Sequence, residues 1–133
     1  MPRYTDHKGL VITTSSALAA ARYASGVELL VGSSPDAVAM LRAAVDADPA
    51  FGVALAALAW GSSGQADADA ALIDALAASV AESSSVTVTR RERQHIEIVV
   101  TVLRGDRARA RALGSEHLRE FPADALVAHI ITN

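Results

Sequence analysis

Residues that begin or end helices recur at short intervals along the whole chain, and their spacing constrains the fold more than any other feature. Between the breaks, apolar residues repeat at helical spacing. Strand signals are nearly absent, since the one alternating β-branched run is Val86–Thr89. The pattern therefore predicts an all-α protein of about six to seven helices, joined by tight turns into antiparallel pairs.

Particular residues set the ends of these helices. Ser16 ends a run of N-cap residues before the first helix, and Ser34 precedes Pro35 at the start of the second. Thr89 and Glu92 form a capping box at the start of the fifth. The predicted helices cover residues 17–31, 35–48, 50–60, 66–82, 90–104 and 106–121, and a last one begins near 123. The break after the third helix is Gly61–Gly64.

Composition favours one domain of closely packed helices. Of 133 residues, 51% are hydrophobic but only 4% are aromatic, and 29 are alanine. The helices therefore carry small side chains, and a chain of this length can bury a core. The absence of cysteine excludes disulfides, thiolate metal sites and a cysteine nucleophile. We expect no cofactor, because the glycine pair at 61 and 64 lacks the lysine and the preceding strand of a phosphate-binding loop.

Charge and hydropathy bear on the possible partners. The formal net charge is −3, and no aromatic residues interleave with the arginines of the fifth and sixth helices, so we expect no nucleic-acid partner. The longest apolar run, Ala50–Trp60, is much shorter than the ~20 residues of a membrane span. The N-terminal residues Met1–Lys8 are polar and lack the apolar core of a signal peptide. We therefore expect no membrane partner and a cytoplasmic location.

A 34-residue period organises the helices into three units. Pro49 and Pro122 lie in similar contexts 73 residues apart, which is two periods plus five residues. Residues 86–90 interrupt the helical pattern and account for the surplus. Removing this insertion gives repeats over 18–51, 52–85 and 91–124, with the start of a truncated fourth repeat at 125–133. We expect residues 1–133 to form a single helical-repeat domain.

The units share residue types at three positions. Position 20 is Ala37, Ala71 and Ala110, position 27 is Ala44, Ala78 and His117, and position 32 is Pro49, Ser83 and Pro122. This pattern resembles the tetratricopeptide repeat, which has alanine at the first two positions and proline at the third. The resemblance implies antiparallel helix pairs stacked in a right-handed superhelix. The alternative is a generic alanine-rich helical bundle.

Longer segments resemble the N-terminal part of the tetratricopeptide repeat protein 38-like family. In chain order they are Gly9–Ala17, Leu41–Phe51, Thr89–His95, Gly105-Asp106 and Phe121–Leu126. Members of that family are longer than this chain, all-helical and without established enzymatic activity. The resemblance thus implies a non-catalytic protein. The apolar stretch 125–131 then indicates either a fragment of a longer solenoid or a homodimer formed through an exposed C-terminal helix.

The resemblance also implies where a partner binds. Tetratricopeptide arrays bind peptides on a concave face lined by the first helix of each pair, and the matching positions here hold Arg22, Trp60, Glu92, His95 and His129. Arg22 and His95 are candidates for holding an acidic group, and Trp60 for an aromatic anchor. Each residue has a structural alternative. These are a solvated charge for Arg22, core packing for Trp60, the helix cap for Glu92 and a structural hydrogen bond near that cap for His95.

No motif for metal binding or catalysis stands out. The spacing of His95, His117 and His129 matches no known ligand motif, so we expect no metal and no enzyme. The function we expect is a protein–protein interaction or scaffolding module that binds a protein or peptide partner. The alternative is a ligand-sensing helical segment of a larger regulatory protein. An open groove would favour peptide binding, whereas a deep apolar pocket around Trp60 would favour ligand sensing.

Overall fold

A computed structural model of the chain describes residues 3–62, 74, 78 and 88–132. Within these residues there are six helices, α1 (Ala17–Val31), α2 (Ala37–Ala47), α3 (Gly52–Ser62), α4 (Arg90–Leu103), α5 (Arg107–Glu120) and α6 (Ala125–Thr132). A short hairpin of β1 (Arg3–Thr5) and β2 (Val11–Thr13) precedes them. The prediction of a mostly helical fold with packed helix pairs is confirmed. The insertion 86–90 and the predicted helix 66–82 lie largely outside the described residues, although positions 74 and 78 are both helical.

The helix ends follow the predicted caps, with two differences. The Ser16 hydroxyl accepts a hydrogen bond from the backbone N–H of Ala19, and both bonds of the capping box at α4 are formed. Helix α2 begins later than predicted, because the Ser34 hydroxyl accepts the N–H of Asp36 in a local turn rather than capping the helix. Helix α3 extends through Gly61, the predicted break, where the chain packs closely on α2.

The N-terminal hairpin is not predicted by the sequence pattern, whose one strand signal is the alternating run Val86–Thr89. Val11–Thr13 is β-branched and pairs antiparallel with β1. The connecting turn is built by Asp6, whose Oδ1 accepts the N–H groups of Lys8 and Leu10 at 2.8 and 3.0 Å. Gly9 has a φ of 81°, which favours glycine there. Strands of three residues give too weak a pattern to predict, and their pairing depends on contacts with distant helices.

Small residues let the helices approach each other closely. Ala37 and Ala110, at unit position 20, and Ala44, at unit position 27, are buried. A Cβ added to Gly26 in α1 would lie 2.6 Å from a methyl carbon of Leu41 in α2. Helix α3 occupies the interior, with nine of its eleven residues buried. The core of the described residues is therefore built around α3 and the close α1–α2 pair.

The last helix packs back onto the rest of the chain. Helix α6 contacts α1, α4 and α5. Its aliphatic residues Leu126, Val127 and Ile130 are buried within the chain. The surface of α6 that remains for a second copy is therefore less apolar than the sequence suggests. No helix in the described part of the chain has both the length and the apolar character needed to cross a bilayer.

Candidate functional site

The carboxylate of Asp124, just before α6, joins three helices. Asp124 is 2% exposed. Its oxygens accept hydrogen bonds from His95 Nδ1 at 2.9 Å, His117 Nε2 at 2.8 Å and an Arg91 guanidinium nitrogen at 3.1 Å. Arg91 and His95 belong to α4 and His117 to α5. The ends of α4, α5 and α6 are thus tied to one buried negative charge.

The surroundings of Asp124 favour its ionised form. Burial alone raises the pKa of this carboxyl, but the neighbouring His95, the hydrogen bonds from both histidines and the charge of Arg91 outweigh it. The pKa of Asp124 therefore lies far below its usual range. The pKa of the buried Tyr23 phenol is raised, first by burial and then by the negative charge of Asp124. These surroundings hold the carboxylate in its ionised form within the folded core.

A second buried carboxylate fastens the N-terminal hairpin to α4. Glu92, which is 1% exposed, accepts the backbone N–H of Thr13 at 2.8 Å and its hydroxyl at 2.6 Å. The same side chain accepts the backbone N–H of Thr89 in the capping box. Beside it, Arg91 donates to the carbonyl oxygen of Val11 at 2.9 Å. The start of α4 thus holds β2 in place with charge-assisted bonds.

The contacts of the two buried histidines are structural in character. His117 Nδ1 hydrogen-bonds the side-chain oxygen of Gln94 at 2.8 Å, so both of its ring nitrogens are engaged. His95 Nε2 is buried and has no hydrogen-bond partner among the residues that the structure describes. Among the described residues, neither histidine hydrogen-bonds a hydroxyl, which is the contact that activates a nucleophile. The described part of the chain also places no three His, Asp or Glu side chains so that they could hold a metal ion.

A groove of about 230 Å³ opens beside this network between α4 and α5. We call it the α4–α5 groove. Each helix contributes residues from one face, Arg90, Gln94, Glu97 and Ile98 from α4 and Leu113, Glu116, His117 and Glu120 from α5. Ile98 and His117 are buried and Leu113 is half-buried, while the three glutamates and Arg90 are exposed. The groove therefore has a floor in which the polar His117 lies beside the apolar Ile98 and Leu113, and it has an acidic rim.

A second, wider groove adjoins the first. It has a volume of about 420 Å³, and we call it the hairpin groove. Its lining includes Leu10, Val11 and Phe121. Arg90 and Glu120 line both grooves, and they form an ion pair with each other. The ion pair therefore lies where the apolar hairpin groove meets the acidic α4–α5 groove.

The structure divides the predicted binding residues into three places. Glu92 and His95 are buried and hydrogen-bonded within the chain. Trp60 and His129 are half-buried and form an edge-to-face contact with ring centroids 6.5 Å apart. Arg22 is exposed on α1, with its guanidinium 3.8 Å from a methionine sulfur of α2. None of the five lines either groove.

His95 is one of the predicted binding residues, but the sequence pattern does not select its partners Asp124 and His117. Asp124 ends a repeat and lies in the segment Phe121–Leu126, and His117 occupies unit position 27 in a set of histidines that matches no ligand motif. The histidine at unit position 27, where the repeat has alanine, is the sequence signal for this network, because a histidine in a close helix contact needs a polar partner. The groove has its own pattern, because positions i, i+4 and i+7 of each helix line it. These are the polar Arg90, Gln94 and Glu97 on α4, and Leu113, His117 and Glu120 on α5.

The chain was compared with protein-family models, with curated proteins and with solved structures, and none of them matched.

Proposed function

We propose that the chain is a non-catalytic interaction module that binds an extended segment of a partner protein across the α4–α5 groove and the hairpin groove. The observation that carries this proposal is the continuity of the two grooves at the Arg90–Glu120 ion pair. An extended segment is long and narrow, and it combines backbone hydrogen-bonding groups with alternating side chains. The apolar hairpin groove, continuous with the more polar α4–α5 groove, suits such a ligand.

The open form of both grooves supports a peptide over a small molecule. Small-molecule sites enclose most of the ligand surface. Here exposed charged side chains form the rim, and Trp60 lines neither groove. The proposed binding site differs from the concave face implied by the resemblance, because Glu92 and His95 are buried and hydrogen-bonded within the chain.

The stacking of the helix pairs belongs to the same proposal. We infer a tetratricopeptide-like right-handed arrangement, related to the protein 38-like family. The pairs α1–α2 and α4–α5 match the repeats 18–51 and 91–124 to within one residue at the start. The small residues Ala37, Ala44 and Ala110 are buried at the alanine positions of the repeat. A crystal structure of the chain tests this inference, because successive pairs must rotate in one right-handed sense.

Selection from a library of displayed random heptapeptides tests the binding function. Wild-type protein is compared with Leu113→Arg, which fills the α4–α5 groove with a long side chain, and with Leu18→Arg. Leu18 is 56% exposed on α1 and lies outside both grooves, so this control has the same change of charge. We expect peptides that bind the wild type and Leu18→Arg but not Leu113→Arg. No enrichment, or equal binding to Leu113→Arg, would show that the groove is not a peptide site.

A further inference from the structure

We propose that the bound segment carries an arginine or lysine side chain, held by the acidic rim of the α4–α5 groove, with an apolar residue about three positions away in the hairpin groove. This inference rests on the proposed function and adds the chemistry of the ligand. It follows from the charges that line the α4–α5 groove, from the Arg90–Glu120 ion pair and from the length of α4 along both grooves.

The lining of the α4–α5 groove has an excess of negative charge. It contains three carboxylates, on Glu97, Glu116 and Glu120, and one guanidinium, on Arg90. Glu97 and Glu116 form no ion pair with any residue in the described ranges. A cation in this groove would interact with the carboxylates of its rim beside Ile98 and Leu113, where the attraction is stronger than in bulk water. An acidic ligand would be repelled by the same groups.

The Arg90–Glu120 ion pair indicates the kind of group that fits. Arg90 is the chain's own guanidinium at one end of the groove, paired with one of its three carboxylates. The pair is exposed, with 63% of the Arg90 side chain and 47% of the Glu120 side chain accessible, so it contributes little to stability and exchanges readily. A ligand guanidinium can replace Arg90 on Glu120 while also reaching Glu116, one helical turn away.

The spacing between the two ligand side chains follows from α4. Arg91 lines the hairpin groove and Ile98 lines the α4–α5 groove, seven residues later. A rise of 1.5 Å per residue places them about 10 Å apart along the helix axis. An extended peptide advances about 3.3 Å per residue, so about three residues cover that length. The aliphatic stem of the basic side chain would then lie over Ile98 and Leu113.

Because Arg90 is paired with Glu120, we expect its removal to strengthen peptide binding rather than weaken it. Arg90→Ala removes the internal competitor for Glu120, so we expect it to strengthen binding of a basic peptide by about threefold or more. Arg93→Ala is the matched control, because Arg93 is exposed on the same helix, lies outside both grooves and carries the same charge. A general electrostatic effect would strengthen binding equally in both variants.

The probes are two synthetic heptapeptides, acetyl-Gly-Leu-Ala-Ala-Arg-Ala-Gly-amide and its reversed sequence, each with a twin in which neutral citrulline replaces arginine. Binding is measured by calorimetry at low salt, with the circular dichroism of every variant recorded to verify folding. We expect one of the arginine peptides to bind at least about fivefold more tightly than its citrulline twin. Glu97→Gln with Glu116→Gln should remove this preference. Glu28→Gln, an exposed acid of α1, should leave it intact.

The outcomes separate this inference from the proposed function. Equal binding of the arginine and citrulline peptides, or binding of neither, overturns the inference. An equal effect of Arg90→Ala and Arg93→Ala also overturns the exchange at Glu120. If the library selection yields groove-dependent peptides that lack arginine and lysine, the binding function stands and the basic ligand is wrong. If the selection yields no groove-dependent peptide, the binding function itself is wrong.

Discussion

The hydroxyl of Thr13 donates a 2.6 Å hydrogen bond to the carboxylate of Glu92, a residue 79 positions further along the chain. The backbone N–H of Thr13 donates to the other oxygen of the same carboxylate at 2.8 Å. Glu92 also completes the capping box at the start of α4. One buried side chain therefore satisfies donors of the N-terminal hairpin and of the helix cap together. The hairpin and the α4 N-terminus should consequently lose stability together.

Replacing Glu92 tests this coupling. Glu92→Ala leaves the buried N–H of Thr13 without its acceptor, and we expect a loss of about 3 kcal/mol in the free energy of unfolding. Glu92→Gln keeps the shape and one oxygen acceptor, so its loss should be smaller. Urea unfolding followed by circular dichroism measures both. Glu28→Ala, an exposed acid of α1, should change stability by no more than about 0.5 kcal/mol. Equal losses for Glu92→Ala and Glu28→Ala would contradict the coupling.

The lowered pKa of Asp124 makes part of the stability depend on acid pH. As the pH falls below about 4, the unfolded chain takes up a proton at this aspartate while the folded chain does not. The stabilisation is therefore fully present above the ordinary aspartate pKa and decreases as the pH falls below it. Asp124→Asn lacks this contribution at every pH. We expect the difference in unfolding free energy between wild type and Asp124→Asn to be largest above pH ~5 and to shrink towards pH ~2.

Carboxylates distant from position 124 titrate in both proteins and cancel, so the difference between the two curves reports Asp124 together with the side chains bonded to it. At neutral pH the variant should be less stable by about 3 kcal/mol or more, because three buried donors lose a charged acceptor. Unfolding is measured by urea titration at each pH. A difference that stays constant across this range would mean that the pKa of Asp124 is ordinary in the folded chain.

The helices could be predicted from the sequence because their signals are local. The hydroxyl of Ser16 and the capping box at Thr89 act within one turn, so the residues that form them are adjacent in sequence. The hairpin and the Asp124 network could not be predicted in the same way. Their partners are separated by 79 residues for Thr13 and Glu92 and by 29 for His95 and Asp124. Nothing in the local pattern specifies which distant donor a buried carboxylate meets.

The raised pKa of Tyr23 predicts a loss of stability at alkaline pH. Burial and the nearby Asp124 charge oppose ionisation of this phenol in the folded chain, whereas the unfolded chain ionises it near pH 10. The neutral Tyr23 phenol therefore contributes to the free energy of unfolding below pH ~10, and this contribution is lost as the pH rises above it. Tyr23→Phe removes this ionisation. We expect the wild type to lose more unfolding free energy than Tyr23→Phe between pH ~9 and ~11, measured by urea titration.

Absorbance at alkaline pH provides an independent measurement on the same residue. The chain has two tyrosines, and the phenolate absorbs where the neutral phenol does not. We expect the phenolate signal of Tyr23, obtained by subtracting the curve of Tyr23→Phe, to appear only together with loss of the helical signal. A phenolate signal from Tyr23 in a chain that is still fully folded would contradict the burial effect.

The contact between Gly114 and Ile131 reverses the usual effect of a glycine-to-alanine change in a helix. Alanine normally stabilises a helix interior by about 1 kcal/mol relative to glycine. At position 114, however, the added Cβ would lie 2.5 Å from Cγ2 of Ile131, in the contact of α5 with α6. Relieving this clash requires a rotation about χ1 of Ile131, which is unfavourable because a β-branched side chain in a helix has one strongly preferred χ1 rotamer. We expect Gly114→Ala to lower the free energy of unfolding by about 1–3 kcal/mol.

A double-mutant cycle identifies the cause. Ile131→Ala removes the clashing carbon, so the alanine at 114 should become neutral or stabilising in that background. Ser115→Ala, at the exposed next position of α5, reports the helix propensity alone and should raise stability by a few tenths of a kcal/mol. Urea unfolding of the four cycle members and this control measures each step. If Gly114→Ala destabilised the chain equally with isoleucine and with alanine at position 131, the close packing of α5 on α6 would not be the reason that glycine stands at position 114.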